Sequence, residues 1–248
     1  MTRHFHQLGL RAALWAFVAL ALPAWGADGD WETVLEGPIT IKNRAVPNSA
    51  VKEIWAEGDM AAPVQDIQDT LMKPELFRSF MPYLKDSREI SKKLEDGSVY
   101  VYTLIDLPVV GKRDYIVRVW LREGVKPDGT GTFRNEWKAE PDYLPLRSNI
   151  TRVRLNTGGW TITPVGDGSK SHVVYQFAVD PGGWVPSFAV NMGNEKGVGD
   201  TFRAVEKEAQ RRRDERLAKQ ARAAKEAKAA EAKAETPSAT PAPAVAAP

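Results

Sequence analysis

Side chains that commonly perform catalysis are scarce in this chain. It contains no cysteine and three histidines, of which His4 and His6 lie at the extreme amino terminus. The third, His172, stands beside a glycine turn at the start of a predicted strand, where a general base would be badly placed. The composition therefore excludes thiol nucleophiles, multi-histidine metal sites and cysteine-based zinc sites. Carboxylate chemistry stays open, and Asp106, at a predicted strand end, is the one attractive candidate.

The amino terminus has the layout of an export signal. A basic lead precedes the apolar residues 12–22, and Ala24 and Gly26 are the small residues that a signal peptidase recognises. The apolar run is shorter than the roughly 20 residues that span a bilayer. We therefore predict that residues 1–26 are removed, that the mature protein begins at Ala27, and that it is periplasmic or secreted. A retained membrane anchor is the alternative.

The charges give no indication of a nucleic-acid partner. Without the two arginines of the signal, basic and acidic residues balance, and residues 27–202 carry a small acidic excess. A nucleic-acid-binding domain needs a basic surface, so this partner is not expected. No cofactor motif is visible either. We expect a monomer without a cofactor or metal.

Hydrophobic patterning predicts one α+β domain over residues 27–210. Two short helices are predicted at Pro63–Leu71 and Pro74–Phe80, and a final helix follows Pro186. The predicted strands lie within Trp31–Val46 (two), and at Val51–Gly58, Ser87–Lys93, Val99–Leu107, Tyr115–Arg122, Thr132–Ala139, Asn149–Asn156, Gly159–Pro164 and Ser171–Val179, with a turn at Gly158-Gly159. Residues 211–235 read as a charged, alanine-rich helical extension, and residues 236–248 as a disordered Pro/Ala tail.

Alternation along the strands separates a wet face from an apolar face. Phe133, Asn135 and Trp137 oppose three charged residues, and Val117 and Val119 oppose two arginines. The same pattern places Val153 and Leu155 opposite Arg152 and Arg154. Such a sheet is covered on one side, and the covering element is the final helix. Glycines at 193, 197 and 199 interrupt that helix, either for close packing or to let it loosen.

Four motifs follow one another along the chain. They are Trp31 with Gly37-Pro38-Ile39, Leu107-Pro108 with Arg113-Asp114-Tyr115, Gly159-Trp160-Thr161-Ile162-Thr163-Pro164, and Asp180-Pro181-Gly182-Gly183-Trp184-Val185-Pro186. In this order and spacing the chain, from about Trp31 to Glu208, resembles START domains, which bind and transfer lipids. The resemblance implies a helix-grip fold, in which a curved antiparallel sheet wraps around a long carboxy-terminal helix and encloses an apolar cavity. It also implies that residues 108–112 and the last helix control entry.

The resemblance places the polar contacts to a lipid head group at Asn135 and Tyr175. For Asn135, a hydrogen bond from neighbouring backbone is the alternative. Arg113 and Asp114 are expected to form a structural corner, with ligand contact as the alternative, and Trp160 and Trp184 are expected in the core. The predicted ligand-binding residues are Asn135, Tyr175, Thr103, Val117, Val119, Phe133, Trp137, Val153, Phe177, Phe188 and Met192.

Three functions are compatible with these observations. The leading hypothesis is non-enzymatic binding, and transfer, of one hydrophobic molecule, with transient membrane contact. The second is a helix-grip enzyme of the cyclase or hydrolase type, which needs a positioned acid or base. The third is a periplasmic adaptor that acts through the charged tail. Copurified lipid would distinguish the first hypothesis from the other two.

Overall fold

The computed structural model describes residues 31–46, 51–108, 110–185 and 196–235, with side chains described up to residue 230. The predicted signal at 1–26 and the predicted tail at 236–248 lie outside the described residues. So do Phe188 and Met192, two of the predicted ligand-binding residues.

Ten strands of the described chain form one sheet. They are β1 (Glu32–Leu35), β2 (Ile39–Ala45), β3 (Lys52–Met60), β4 (Leu84–Glu89), β5 (Val99–Leu107), β6 (Gly111–Glu123), β7 (Phe133–Ala139), β8 (Thr151–Arg152), β9 (Leu155–Val165) and β10 (Lys170–Asp180). Their order is β1-β2-β3-β10-β9-β7-β6-β5-β4. All neighbours along this path are antiparallel, while the two-residue β8 pairs with β6 in parallel. The predicted α+β class and helix-grip architecture are confirmed.

Within the described residues, two α-helices and one 3₁₀ helix accompany the sheet: α1 (Val64–Leu71), the 3₁₀ helix (Pro74–Ser79) and α2 (Val198–Glu235). The helical spacing of Val64, Ile67 and Leu71 puts all three on the buried side of α1. On α2, Val198, Phe202, Val205 and Ala209 join the same hydrophobic core. Apolar residues of the sheet, including Ile41, Ile54, Ile162 and Val173, complete it. No described helix is long and apolar enough to cross a membrane.

The predicted turn at Gly158-Gly159 is wrong, because β9 runs through both glycines. Gly158 pairs with Trp137 on one side and with Phe177 on the other. A Cβ atom at Gly158 would overlap the Trp137 ring, the Gln176 carbonyl oxygen and the Cβ of Phe177. Glycine is therefore needed here to let two aromatic side chains approach each other across a strand.

The predicted alternation at residues 152–155 is also wrong. Arg152 and Val153 are both buried, whereas Arg154 and Leu155 are exposed. Arg152 donates from Nε and Nη2 to the two carboxylate oxygens of Asp114, at 2.7 and 3.2 Å. This pair compensates the burial of a charge that the alternation had placed in solvent. It also confirms a structural corner for Asp114, whose partner lies 38 residues away.

Trp184 was predicted to lie in the core, and this is wrong. Its side chain is 79% exposed at the corner between β10 and α2. Trp160 is buried, as predicted, at 5% exposure. The difference arises because Trp160 lies in the middle of β9, facing α2, while Trp184 follows Gly182 and Gly183, both with positive φ, which turn the chain away from the sheet.

Candidate functional site

A cavity of about 350 Å³ lies between the inner face of the sheet and the helices. Strands β5, β6, β7, β9 and β10 form its floor, and residues of α1, the 3₁₀ helix and α2 contribute the remaining walls. The walls are mostly apolar: Leu71, Met72, Phe77, Met81, Val101, Ile105, Leu107, Val117, Val119, Val153, Phe177 and Val179 all contribute. The side chains from β5, β6 and β10 point inward because alternate residues of a strand share one face.

One row of residues crosses the floor of the cavity on three neighbouring strands. Trp160 of β9 pairs with Asn135 of β7 and with Tyr175 of β10. The Trp160 and Tyr175 rings stack with centroids 3.9 Å apart, and the Phe177 ring lies 4.6 Å from that of Tyr175. Phe202 of α2 packs 5.8 Å from Trp160. The row therefore joins the sheet to the last helix through aromatic contacts.

Asn135 is 5% exposed and uses its side-chain oxygen within the protein. Oδ1 accepts a hydrogen bond of 3.1 Å from the backbone N–H of Trp160. This is the backbone contact that the sequence left open as the alternative to a ligand contact. Among the described residues, none accepts a hydrogen bond from the Asn135 amide nitrogen, so its N–H groups remain available to the cavity.

A short chain of hydroxyl groups forms a second polar feature of the wall. Ser87 Oγ and Thr103 Oγ1 lie 3.2 Å apart. Burial raises the pKa of the Tyr115 phenol, although its hydrogen bond with Thr103 opposes that rise. Burial also raises the pKa of Tyr175, and the nearby Tyr115 adds to this effect. Both phenols are therefore neutral hydrogen-bonding groups at physiological pH.

Arg113 supplies the one cationic side chain among the described lining residues. It donates to the backbone carbonyl oxygens of Val110 and Gly111 in the β5–β6 loop, and of Pro181 and Gly182 at the corner after β10. Burial lowers the pKa of its guanidinium. Arg113 thus ties together the loop and the corner that lie at one end of the cavity.

Eight of the predicted ligand-binding residues line the cavity: Asn135, Tyr175, Thr103, Val117, Val119, Trp137, Val153 and Phe177. Phe133 lies elsewhere, because α1 covers its end of β7, and it is fully buried in the core with Val64 and Ile67. Phe188 and Met192 lie outside the described residues.

Sequence reasoning missed Tyr115, Asn156 and the inward position of Arg113. Tyr115 and Arg113 share the parity of Val117 and Val119 on β6, so extending the alternation would have found them. Asn156 accepts a 2.8 Å hydrogen bond from the Trp137 indole nitrogen. The incorrect turn at Gly158 hid it, because it separated Asn156 from the rest of β9.

Neither of the side chains considered for catalysis lies on the cavity wall. His172 is on the outer face of β10, where Nδ1 is 3.0 Å from Asp59 Oδ1, and its side chain is 44% exposed. Asp106 points to the opposite face of β5 from Ile105 and Leu107, which do line the cavity.

Comparisons with known proteins agree with this architecture. A STAR-related lipid transfer protein from Xanthomonas axonopodis (fragment 25–204) is 26% identical, with a TM-score of 0.62, over 73% of this chain and 98% of that one. Human StAR-related lipid transfer protein 5 is 16% identical with a TM-score of 0.64, over 73% and 86%. Human STARD10 is 18% identical with a TM-score of 0.62, over 74% of each chain. No family model matches the chain.

A curated relative was also found by sequence. An uncharacterised protein of Pseudomonas aeruginosa is 33% identical over 100 residues, which are 40% of this chain and 47% of the relative. The match therefore spans about half the length of that relative. The structural neighbours show that the chain has the helix-grip fold of START domains, which its four motifs resemble.

Proposed function

We propose that the protein binds one hydrophobic molecule in this cavity and carries it without changing it chemically. The cavity itself carries the proposal: its volume of about 350 Å³ and its apolar walls with a few polar groups suit a small lipid. None of the described lining residues is an aspartate, glutamate, histidine or lysine. Of the groups that act as a general acid or base, the described lining includes the phenols of Tyr115 and Tyr175. Burial raises the pKa of both and keeps them protonated, so a general base is lacking among these residues and the second hypothesis is less well supported.

Tyr175 and Asn135 would hydrogen-bond a polar group of the ligand. The Tyr175 hydroxyl and the Asn135 amide nitrogen are on one row of the cavity floor. The structural neighbours named for lipid transfer support lipid binding in the cavity, because their fold is the same.

Tyr175→Phe tests this assignment more cleanly than a change of Asn135. Asn135→Leu would also leave the Trp160 N–H without its acceptor, whereas Tyr175→Phe removes a hydroxyl and keeps the stacked ring. We expect affinity for lipid to fall about fivefold with little loss of stability, because one neutral hydrogen bond is lost. Unchanged affinity in a lipid-binding titration would make Tyr175 a structural residue.

Transfer would require contact with a membrane, and we place that contact at Trp184. This exposed indole lies three residues after Pro181, which lines the cavity. Tryptophan favours the interface between lipid and water. Binding of Trp184→Ala to phospholipid vesicles should therefore be weaker than that of the wild type, while occupancy of the cavity is unchanged.

Export is part of the same proposal. Residues 1–26 would direct the protein to the periplasm, where it would act as a monomer. Amino-terminal sequencing of protein from the periplasmic fraction should give Ala27 as the first residue. Recovery of an intact residue 1–26 segment would contradict export by cleavage.

Native mass spectrometry of the mature protein is the main test. We expect one lipid-sized molecule per chain, recovered chemically unchanged after incubation. Protein that carries no ligand and takes none from vesicles would contradict the proposal.

Removing residues 217–248 should leave binding intact, because the contacts of α2 with the domain end at Arg216 among the described residues. Loss of a cellular phenotype in that variant, with binding intact, would favour the adaptor hypothesis.

A further inference from the structure

Two buried arginines at the same corner of the sheet have different partners. Arg152 forms a bidentate pair with Asp114. Arg113 is 3% exposed, and within the described ranges every acceptor that it reaches is a backbone carbonyl oxygen. Three of these four contacts are 3.3 to 3.4 Å long, which is longer than usual for a hydrogen bond. The guanidinium of Arg113 is thus surrounded by dipoles but lacks a described counter-charge.

The neighbouring carboxylates are already engaged or face away. Asp114 is paired with Arg152. Asp180 accepts a hydrogen bond from the Gly182 N–H, and Asp106 lies on the outer face of β5. A buried charge without an ionic partner is strongly destabilising. An anion that enters the cavity would therefore meet a cation that has no competing ionic partner among these groups.

The position of Arg113 fixes how such a ligand would lie. Arg113 on β6 pairs with Ile105 on β5. The next pair with the same orientation, Leu107 with Gly111, lies at the end of the hairpin that joins the two strands. Tyr115 is two residues further along the same face, about 7 Å deeper. Leu107, Val179 and Pro181 surround the Arg113 end. The acidic group of a ligand would lie at this end, and the rest of the ligand would extend past Tyr115 toward Val119. Asn135, which pairs with Leu121 beyond Val119, would then bind a second polar group farther along the ligand.

We propose that Arg113 binds the anionic oxygens of the ligand, so that the preferred ligand class is a long-chain amphiphilic acid rather than a neutral lipid. This inference rests on the proposed function. Guanidinium groups bind carboxylates and phosphates through two parallel hydrogen bonds. Four of the five N–H donors of Arg113 face backbone carbonyl oxygens, so one Nη2 donor is unused. The three contacts of 3.3 to 3.4 Å are weak and would be exchanged for shorter, charge-assisted bonds to the oxygens of the ligand.

A fluorescent fatty acid and its methyl ester test the proposal directly. The mature protein, stripped of ligand, would be titrated with cis-parinaric acid and with methyl cis-parinarate. We expect the acid to bind about tenfold more tightly than the ester, because only the acid offers a charged partner. Competition by palmitate, hexadecyl phosphate or hexadecanol then identifies the head group. Displacement by either of the first two supports the proposal, and preferential displacement by the alcohol overturns it.

Variants assign the preference to Arg113. Arg113→Met should bind acid and ester equally, and Arg113→Lys should keep a reduced preference for the acid, because lysine preserves the charge but not the two-pronged geometry. Lys138→Met removes an exposed charge on the outer face of β7 and should leave the preference unchanged. Arg113→Met also removes contacts to the loop and the corner, so its thermal stability would be measured as well. If Arg113→Met does not fold, the preference for the acid is compared between Arg113→Lys and the wild type, and a reduced preference in Arg113→Lys supports the role of Arg113.

The outcomes separate this inference from the function on which it rests. Equal affinity of the wild type for acid and ester would overturn the role of Arg113 while leaving lipid binding intact. A folded Arg113→Met variant that keeps the preference would make Arg113 a structural brace only. If the wild type binds neither compound and copurifies with no lipid, the proposed function fails instead.

Discussion

The two parts of α2 that contact the domain do so by different chemistry. At its start, Val198, Phe202 and Val205 pack among apolar and aromatic side chains, and Thr201 lines the cavity. Further along, Arg216 forms a bidentate pair with the buried Asp66 of α1, at 2.9 and 2.7 Å.

Other polar contacts strengthen this second region. The Ala61 backbone N–H donates to Glu206 at 2.8 Å, and the Ala61 carbonyl accepts from Arg213 at 3.2 Å. We call the contacts of Glu206, Arg213 and Arg216 with Ala61 and Asp66 the ionic clamp. The sequence predicts that the domain ends at residue 210 and that a charged extension begins at residue 211, but α2 is continuous there. The predicted extension therefore begins within the part of α2 that forms the clamp, from Glu206 to Arg216.

The difference indicates which part of α2 can move. Apolar contacts are non-directional and tolerate small shifts, whereas the clamp depends on fixed donor and acceptor positions. We therefore expect the start of α2 to shift relative to the cavity more readily than the part that the clamp attaches to α1. Ligand entry at the start of the helix would not require the domain to unfold.

The largest expected effect comes from the apolar part. Phe202→Ala removes a ring that is 2% exposed and contacts Trp160 and Tyr175. We expect the free energy of unfolding to fall by about 3–5 kcal/mol, because a large buried side chain leaves a cavity. Urea denaturation measures this. Leu217→Ala, on an exposed position of the same helix, is the matched control. A loss below about 1 kcal/mol for Phe202→Ala would show that the start of α2 contributes little.

Breaking the clamp should have a smaller and more local effect. Asp66→Ala leaves Arg216 without its partner, but the Arg216 side chain is 27% exposed and can recover water. We expect a loss of about 1–3 kcal/mol and faster amide hydrogen exchange beyond Ala209, with lipid binding retained. Hydrogen exchange measured by mass spectrometry checks this. Faster exchange at Val198–Val205 instead would contradict the division between the two parts.

A stabilising change at the start of α2 tests whether that part must loosen. The position of a Cβ at Gly199 is 3.4 Å from the nearest atom, in the flexible side chain of Arg203. Close packing therefore does not explain this glycine, and Gly199→Ala should stabilise the helix by up to about 1 kcal/mol. Transfer of a fluorescent lipid should become slower. A lower melting temperature with an unchanged transfer rate would refute the idea. Gly193 lies outside the described residues.

Acid should weaken the clamp region by a small amount. The hydrogen bond from Arg211 lowers the pKa of Glu208 below its usual range, and Arg212 contributes further. Glu208 thus adds stability that is present above its unfolded pKa of about 4.3 and is lost as the pH falls through its lower folded pKa. Glu208→Gln should flatten the loss of stability below pH of about 4.3. Parallel curves for variant and wild type in urea titrations would contradict this.

The sequence alone determined the succession of most strands along the chain, the class of fold and eight residues of the cavity wall. Two-residue periodicity assigns faces without any knowledge of neighbours, so Val117, Val119, Asn135 and Trp137 were placed correctly. The helical spacing of the apolar residues of α1 likewise predicted the helix and its buried side. These features are local, since each follows from the residues immediately before and after it.

Only the tertiary structure decided the features that depend on residues distant in sequence. Gly158 is a strand residue because Trp137 and Phe177, from the two flanking strands, occupy the space above it. Arg152 is buried because Asp114 comes within 2.7 Å of it. The clamp exists because α1 meets a helix 150 residues further along the chain. Such contacts produce no periodic pattern in the sequence. Each depends on a partner residue that comes close only when the whole sheet and α2 have assembled.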